Sequence, residues 1–391
     1  MTVFIPTHVK TAPVYPTVEV TREIRRMLIL LGIPIDNLTM DETLDKVEEF
    51  VRTGRKTGKH HQIATVNTDF LVKSMEDETL RDLLQTADLC TPDGMPLVWG
   101  SKLLGVPLKE RVAGSDMVPM IAKRAAKKGM TLYFMGGQDG AAESAKEILE
   151  ARHKGLNVVG TSCPYWKPGQ DFDQAVLDEI KMLKPDILLV ALGNPKQELW
   201  IKTYGAEVGV PVQIGIGASL DFIAGHVKRA PVWMQKSGLE WVARLAQEPR
   251  RLWKRYAVDA VRFAPSLMRQ WWVMRPAAQK ETSCSVEMRS IGHLSIMNIK
   301  GGFTVRDCQK IREVGERALR RRAFLTINLA DVTNMDCNAV GALMSLNRIA
   351  EQMGGKLRVV GVQKPLQRVF DMLNLDTFFS IDESSLVLGV A

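Results

Sequence analysis

The stretch MTLYFMGGQDGAAESA, residues 130–145, decides how the first two-thirds of the chain is read. Its first half is apolar without polar alternation, which suits a strand covered on both faces. Gly136, Gly137 and Gly140 then free the backbone for a tight turn, and a helical pattern follows. A buried strand that turns through glycine into a helix is the unit of a parallel sheet flanked by helices. The unit recurs at HQIATVN (61–67), ADLCTPD (87–93), LNVVGTS (156–162), DILLVALG (186–193) and VPVQIGIG (210–217). Amphipathic stretches such as DFLVKSMEDETLRDLLQ and SDMVPMIAKRAAKKG lie between them. Residues 23–245 are therefore expected to form a Rossmann-like α/β domain on a mostly parallel sheet.

The flanks differ from this unit. Residues 1–22, with three prolines, read as a loose arm without the apolar core of a signal peptide. Residues 246–275 turn helical, basic and tryptophan-rich, and Pro249 and Pro265 are expected to divide that region into pieces. PAAQKETSC (276–284) reads as a linker. From 285 to 391 a second, smaller α/β unit runs strand (HLSIMNIKG), helix, strand (AFLTINLADV), helix, strand (KLRVVGV), helix.

Charge is unevenly placed. Between His226 and Arg275 eleven Lys/Arg face three acids, while the rest of the chain carries forty-one of each. The whole excess of +8 and five of the eight tryptophans thus fall in one segment, which predicts a polyanionic partner surface. The five scattered cysteines form no CxxC pair, so neither a zinc site nor a disulfide framework is suggested, and a reducing cytoplasm is the expected compartment. No apolar run reaches the roughly 18–20 residues of a membrane-spanning helix; MLILLGIPI and DILLVAL are strand-length.

Ligands of such sheets sit beyond the carboxyl ends of the strands. Those ends read Thr65-Val66-Asn67, Thr91-Pro92-Asp93-Gly94, Gly136-Gly137-Gln138-Asp139-Gly140, Gly193-Asn194-Pro195-Lys196-Gln197-Glu198 and Gly215-Ile216-Gly217. Glycine admits a close ligand and a following helix points free N–H groups at an anion, so together these ends predict a nucleotide or phosphate crevice. Each also has a plainer reading as a turn or a first helical turn. MGGQDG is neither a dinucleotide fingerprint nor a P-loop. Asp171-Phe172-Asp173 resembles the DxD metal motif, but its place between Pro168-Gly169 and AVLDEIKML makes it a helix cap, and no metal or other cofactor is expected.

TVNTDFL, TPDGMPLVW, ERVAGSDM, ALGNPKQELW and GIGASLDFIAGHVKRAPVWMQKSGLEWVARLAQEPRRLWKRY follow one another in the order and spacing of a known family. This part of the chain resembles the WecG/TagA/CpsF glycosyltransferases (glycosyltransferase family 26). The resemblance implies inverting transfer from a UDP-sugar, of the N-acetylmannosamine kind or a relative, to a polyprenyl-diphosphate-linked sugar at the cytoplasmic membrane face, in cell-surface polysaccharide synthesis. It implies Asp93 as general base. Thr65, Asn67, Gly94, Arg111, Gly136, Gly137, Asn194, Gln197 and Glu198 would then line the substrate pocket. Arg229, Arg244, Arg250 and Arg251 become candidates for the diphosphate of donor or acceptor, since guanidinium suits phosphate. Trp253, Lys254, Arg255, Arg262, Trp271 and Trp272, with Phe263, would meet an anionic bilayer as a lid-like appendage.

NLADVTNMDCNAVGALMSLNRIAEQMGGKLRVVG resembles a STAS domain. The serine that is phosphorylated in regulatory members would fall at Asn338, so switching through that residue is not expected. The resemblance implies a docking module for a protein partner, removable without loss of catalysis; self-association is left open. Two other readings are weighed: a non-catalytic nucleotide-sugar-binding adaptor whose STAS domain is the output, and single-strand nucleic-acid binding by the basic segment. Asp93 and Thr65 are both present, against the first, and no nucleic-acid motif is present, against the second, so no nucleic-acid partner is expected.

Overall fold

The computed structural model describes residues 27–275, 284–291, 294–321 and 324–382. The expected arm (1–22), nearly all of the expected linker and the last nine residues lie outside the described residues.

The chain enters as an antiparallel hairpin, β1 (Met27–Leu30) and β2 (Ile33–Asp36), turned by Leu31 and Gly32 at positive φ. MLILLGIPI is thus two strands, not one. The first α/β unit follows with α1 (Met40–Thr57), β3 (His61–Val66), α2 (Thr68–Ser74), α3 (Glu78–Thr86), β4 (Leu89–Pro92) and α4 (Met95–Leu103). It continues with α5 (Gly114–Lys128), β5 (Thr131–Gly136), α6 (Ala141–Arg152), β6 (Asn157–Ser162), α7 (Gln174–Leu183), β7 (Ile187–Ala191), α8 (Lys196–Val208), β8 (Val212–Gly215) and α9 (Ser219–Ala224). Six strands form one sheet in the order β4-β3-β8-β7-β5-β6, every pair parallel. Both faces are covered. Leu132 and Phe134 of β5 join Ile187 and Leu189 of β7 in one core, while Tyr133, Met135, Leu188 and Val190 enter another with Trp200. That is why the strands carry no polar alternation. Asp173 caps α7, its carboxylate accepting from the Ala175 amide at 3.0 Å.

Three helices follow: α10 (Val232–Ser237), α11 (Glu240–Gln247) and α12 (Pro249–Met274). Pro249 begins α12, as expected of a first-turn proline, but Pro265 does not divide it. Pro265 is exposed, as is Val261 one turn earlier, so the proline lies on the outer side of the helix. Leu252, Phe263, Leu267, Gln270 and Met274 form the inner stripe of α12. Phe263 and Leu267 seat on Gly100 of α4. Gln270 closes the hairpin, donating from Nε2 to the Ile29 carbonyl at 2.7 Å and accepting from the Leu31 amide at 2.9 Å.

The second unit runs β9 (Ser285–Ile291), β10 (Leu294–Phe303), α13 (Val305–Arg321), β11 (Phe324–Met335), α14 (Cys337–Gln352), β12 (Lys356–Val360), α15 (Lys364–Met372) and β13 (Ser380–Asp382). Its sheet, β13-β12-β11-β10-β9, is parallel except for the β9–β10 edge. This unit is not an appendage. One continuous hydrophobic core joins the hairpin, the inner stripe of α12, and α13, α14 and α15. Leu28, Ile29 and Leu30 are essentially inaccessible, each burial being worth about 1.5–3 kcal/mol. Removing residues 285–391 would uncover the hairpin and the inner stripe of α12.

Candidate active site

The chain leaves β3 for β4 on one side of the sheet and later returns through β7 to β8 on the other, so the strand order reverses beside β3. The carboxyl ends of β3, β4 and β8 meet there, at the crevice where such sheets take ligands. Thr65 is buried and ties two of these strands, its Oγ1 donating to the Gly215 carbonyl at 2.9 Å. Asn67 caps α2, accepting from the Phe70 amide at 3.2 Å.

Asp93 follows β4. Its own amide donates to the Val66 carbonyl at 2.7 Å, and its carboxylate accepts from the Gly114 amide at 3.3 Å, at the start of α5. Gly94 has φ 149°, a conformation that lets α4 begin directly after the acid. Burial raises the Asp93 carboxyl to about 6, against the pull of Arg111, Arg244 and the Gly114 amide; Glu240 adds to the rise.

Around Asp93 the appended helices supply charge. Arg111 donates to Asp116 at 2.7 Å and to Glu240 of α11 at 3.2 Å. Arg229 bonds Asp116 and also Ser115 Oγ at 3.2 Å. Arg244, also on α11, stacks on the Phe222 ring at 4.7 Å and acts electrostatically on Asp93. Thus Arg111 and Arg244 bear on the acid and Arg229 is linked to Arg111 through Asp116, whereas Arg250 stands exposed in the first turn of α12 and the Arg251 side chain lies outside the described residues.

Gln197 and Glu198 are buried beneath β8. Gln197 accepts from the Gly217 amide at 3.0 Å and donates to Glu198 Oε1 at 2.7 Å. A Cβ at Gly215 would come within 2.5 Å of both side chains, so glycine there makes room for the pair. Complete burial lifts the Glu198 carboxyl to about 8. Asn194 donates to Asp69 at 2.9 Å, and Lys73 completes that ion pair at 2.9 Å. Gly136 and Gly137 have φ 95° and 91°, and a Cβ at Gly136 would lie 2.7 Å from the Ala191 carbonyl. The following amide, of Gln138, donates to Asp221 at 2.8 Å.

On the outer side of α12, Trp253, Val261, Met268 and Trp272 are exposed together with Lys254 and Arg269. Arg262 pairs with Glu76. Not every expected outer residue is there. Phe263 points into the core, Trp271 is partly buried against it, and Arg255 is half-buried over the Tyr256 ring. Helical spacing explains this: 263, 267, 270 and 274 share the inner stripe. Sequence reasoning missed Asp116, Glu240 and Asp69, whose partners lie far along the chain, and the half-exposed Trp99 just beyond Asp93. Among the described residues no helix is long and apolar enough to cross a membrane, and no three His, Cys, Asp or Glu side chains are grouped to hold a metal ion.

A carboxylate at a sheet crevice, with Arg111 from a loop and Arg244 from an appended helix acting on it, is the site of a group-transferring enzyme. The chain belongs to the glycosyl transferase WecG/TagA/CpsF family, matched over residues 28–277, and residues 285–385 match the STAS domain. Among its relatives, an N-acetylglucosaminyldiphosphoundecaprenol N-acetyl-beta-D-mannosaminyltransferase of Bacillus spizizenii is 34% identical over 193 residues, covering 49% of this chain and 73% of that protein. Proteins of the same name from Bacillus subtilis and Staphylococcus aureus are 31% and 28% identical, over 57% and 58% of this chain and 84% and 85% of theirs. The unphosphorylated anti-sigma factor antagonist SpoIIAA aligns with 26% of this chain and 90% of its own at 13% identity, with a TM-score of 0.23. The protein is a glycosyltransferase of polysaccharide synthesis with a C-terminal STAS domain.

Proposed function

We propose that this enzyme transfers an N-acetylmannosamine-type sugar from a UDP-sugar to N-acetylglucosamine carried on polyprenyl diphosphate, working peripherally at the inner face of the cytoplasmic membrane. The acceptor and sugar follow the names of the relatives. The observation that carries the chemistry is Asp93, a raised carboxyl at the sheet crevice with Arg111 and Arg244 acting on it. Inversion at an anomeric carbon needs one base to take the acceptor hydroxyl proton as the nucleotide leaves, and a carboxylate near 6 is ionised yet basic enough at neutral pH. Arg111, Arg229 and Arg244 stand where a departing diphosphate can be met by guanidinium, with no metal required in this reading. The exposed indoles and cations of α12 supply a surface for anionic lipid.

Asp93→Asn is expected to keep the fold and lower turnover on the order of 10²–10⁴-fold. The assay is UDP release with a short-chain polyprenyl-diphosphate-linked N-acetylglucosamine acceptor. Turnover like that of the unaltered enzyme would remove Asp93 from the role.

A further inference from the structure

We propose that the STAS domain has its partner within the same chain: α14 clamps the β1–β2 hairpin and the end of α12, and so fixes α12 against α4, the helix that follows Asp93. The part concerning α12 rests on the function proposed above; the clamp itself does not.

The burial of α14 points to it first. In a small α/β domain a covering helix buries one stripe on its own sheet and leaves the other side to solvent. Twelve of the sixteen residues of α14 are buried, so both sides are covered. The second stripe, at helical spacing, is Cys337, Asn338, Gly341 and Arg348. Each meets the transferase unit. Cys337 Sγ lies 3.3 Å from Met274 Sδ at the end of α12. Asn338 Nδ2 donates to the Gly105 carbonyl at 3.4 Å. Gly341 sits so close to the Met27 carbonyl oxygen that no Cβ fits between them. Arg348 bonds Asp36 of β2 at 2.8 Å and the Ala87 carbonyl at 3.3 Å.

Two features argue for a permanent contact. Interfaces between domains of one chain are by default modest and mobile unless hydrophobic, and this one is a continuous apolar core. The Asp36 side chain is also fully buried. Separating the units would leave that carboxylate without its guanidinium inside an apolar surface. The stripe includes Asn338, the position where the STAS pattern of the sequence would place a regulatory serine. An outside protein could use this stripe only after displacing the transferase. Gln270 of α12 holds the same hairpin that α14 holds, so the three elements form one block.

The test uses the full chain with a protease site placed within 276–283. After cleavage the two pieces are expected to stay together at about 1 μM, eluting at the 43.6 kDa of the intact chain. Dissociation of the pieces at that concentration overturns the clamp. Elution of the uncut chain at twice that mass, with tagged and untagged halves exchanging, shows the clamp to form between two copies and overturns the same-chain assignment. Gly341→Val is expected to release the cut pieces; Arg348→Met, which keeps bulk but removes charge, is expected to weaken their association at least tenfold. Far-ultraviolet circular dichroism of the uncut variants checks that each unit is still folded. In cut protein carrying Arg348→Met, transfer to the lipid acceptor is expected to fall at least fivefold as the pieces part. Undiminished transfer by separated pieces refutes the control of α12 while leaving the clamp. Undiminished turnover by Asp93→Asn counts instead against the proposed chemistry.

Discussion

Asp93 and Glu198 are two raised carboxyls with different consequences. Asp93, at about 6, must be ionised to accept a proton, so kcat/KM is expected to fall tenfold per pH unit below about 6. That acid limb should be absent from the residual activity of Asp93→Asn. Glu198, at about 8, is a neutral acid at pH 7 inside the core. Between its ordinary value near 4.5 and about 8 the native state holds a proton that the unfolded state has lost, so stability falls as pH rises through that range. Glu198→Gln keeps the shape without the charge. Denaturant unfolding at pH 5 and pH 8 should show the variant gaining on the unaltered protein by a few kcal/mol at the higher pH. A pH-independent difference would mean that Glu198 is not the group responsible. The motifs point to Asp93, Thr65, Arg111 and Arg244, which the fold brings to the crevice, but also to Arg250, which stands exposed. Asp116 pairs with Arg111 five positions back, but its second partner, Arg229, stands 113 positions away. The Glu240 contact with Arg111 spans 129 positions, and local pattern carries no trace of either pair.

Among the elements, α12 shows how pattern and composition divide the information. Composition indicated a basic, indole-rich segment. Only the helical phase, fixed by packing on Gly100 and the hairpin, sorts Trp253 and Trp272 outward and Phe263 and Trp271 inward. Replacing Trp253 and Trp272 together by Ala is expected to weaken binding to vesicles containing anionic lipid about tenfold or more without lowering the melting temperature. Co-sedimentation and thermal scanning measure the two effects. An equal loss in neutral and anionic vesicles would assign the indoles but not the cations to the contact. Pro265 misled the reading because the inner stripe is packed on both sides of it, at Phe263 and at Leu267, and this packing holds the helix through the lost bond. The hairpin was hidden for a related reason: Leu31-Gly32 sits in an apolar run, and the positive φ that turns the chain leaves no polar mark.

Over the whole molecule, the parallel sheet and both α/β units follow from alternating strands and helices, whereas the strand order and the union of the units do not. Nothing in residues 27–36 announces that their cover lies beyond residue 330, since apolar strands look alike whatever buries them. Removal of residues 285–391 is therefore expected to yield a transferase fragment that aggregates or melts at least 10 °C lower, by the size of the apolar surface uncovered. Size-exclusion chromatography and thermal scanning suffice to see it. A fragment that stays monomeric with an unchanged melting temperature would show that the hairpin is supported by the transferase core alone.

The Asp36–Arg348 pair also has a meaning in time. Its members are 312 positions apart, so on a ribosome adding about 5–20 residues per second the hairpin waits on the order of 15–60 s for the helix that covers it. Among the described residues the hairpin is made first, yet its cover is complete only when α14 emerges, which makes the nascent chain a natural client for chaperones that shield apolar segments.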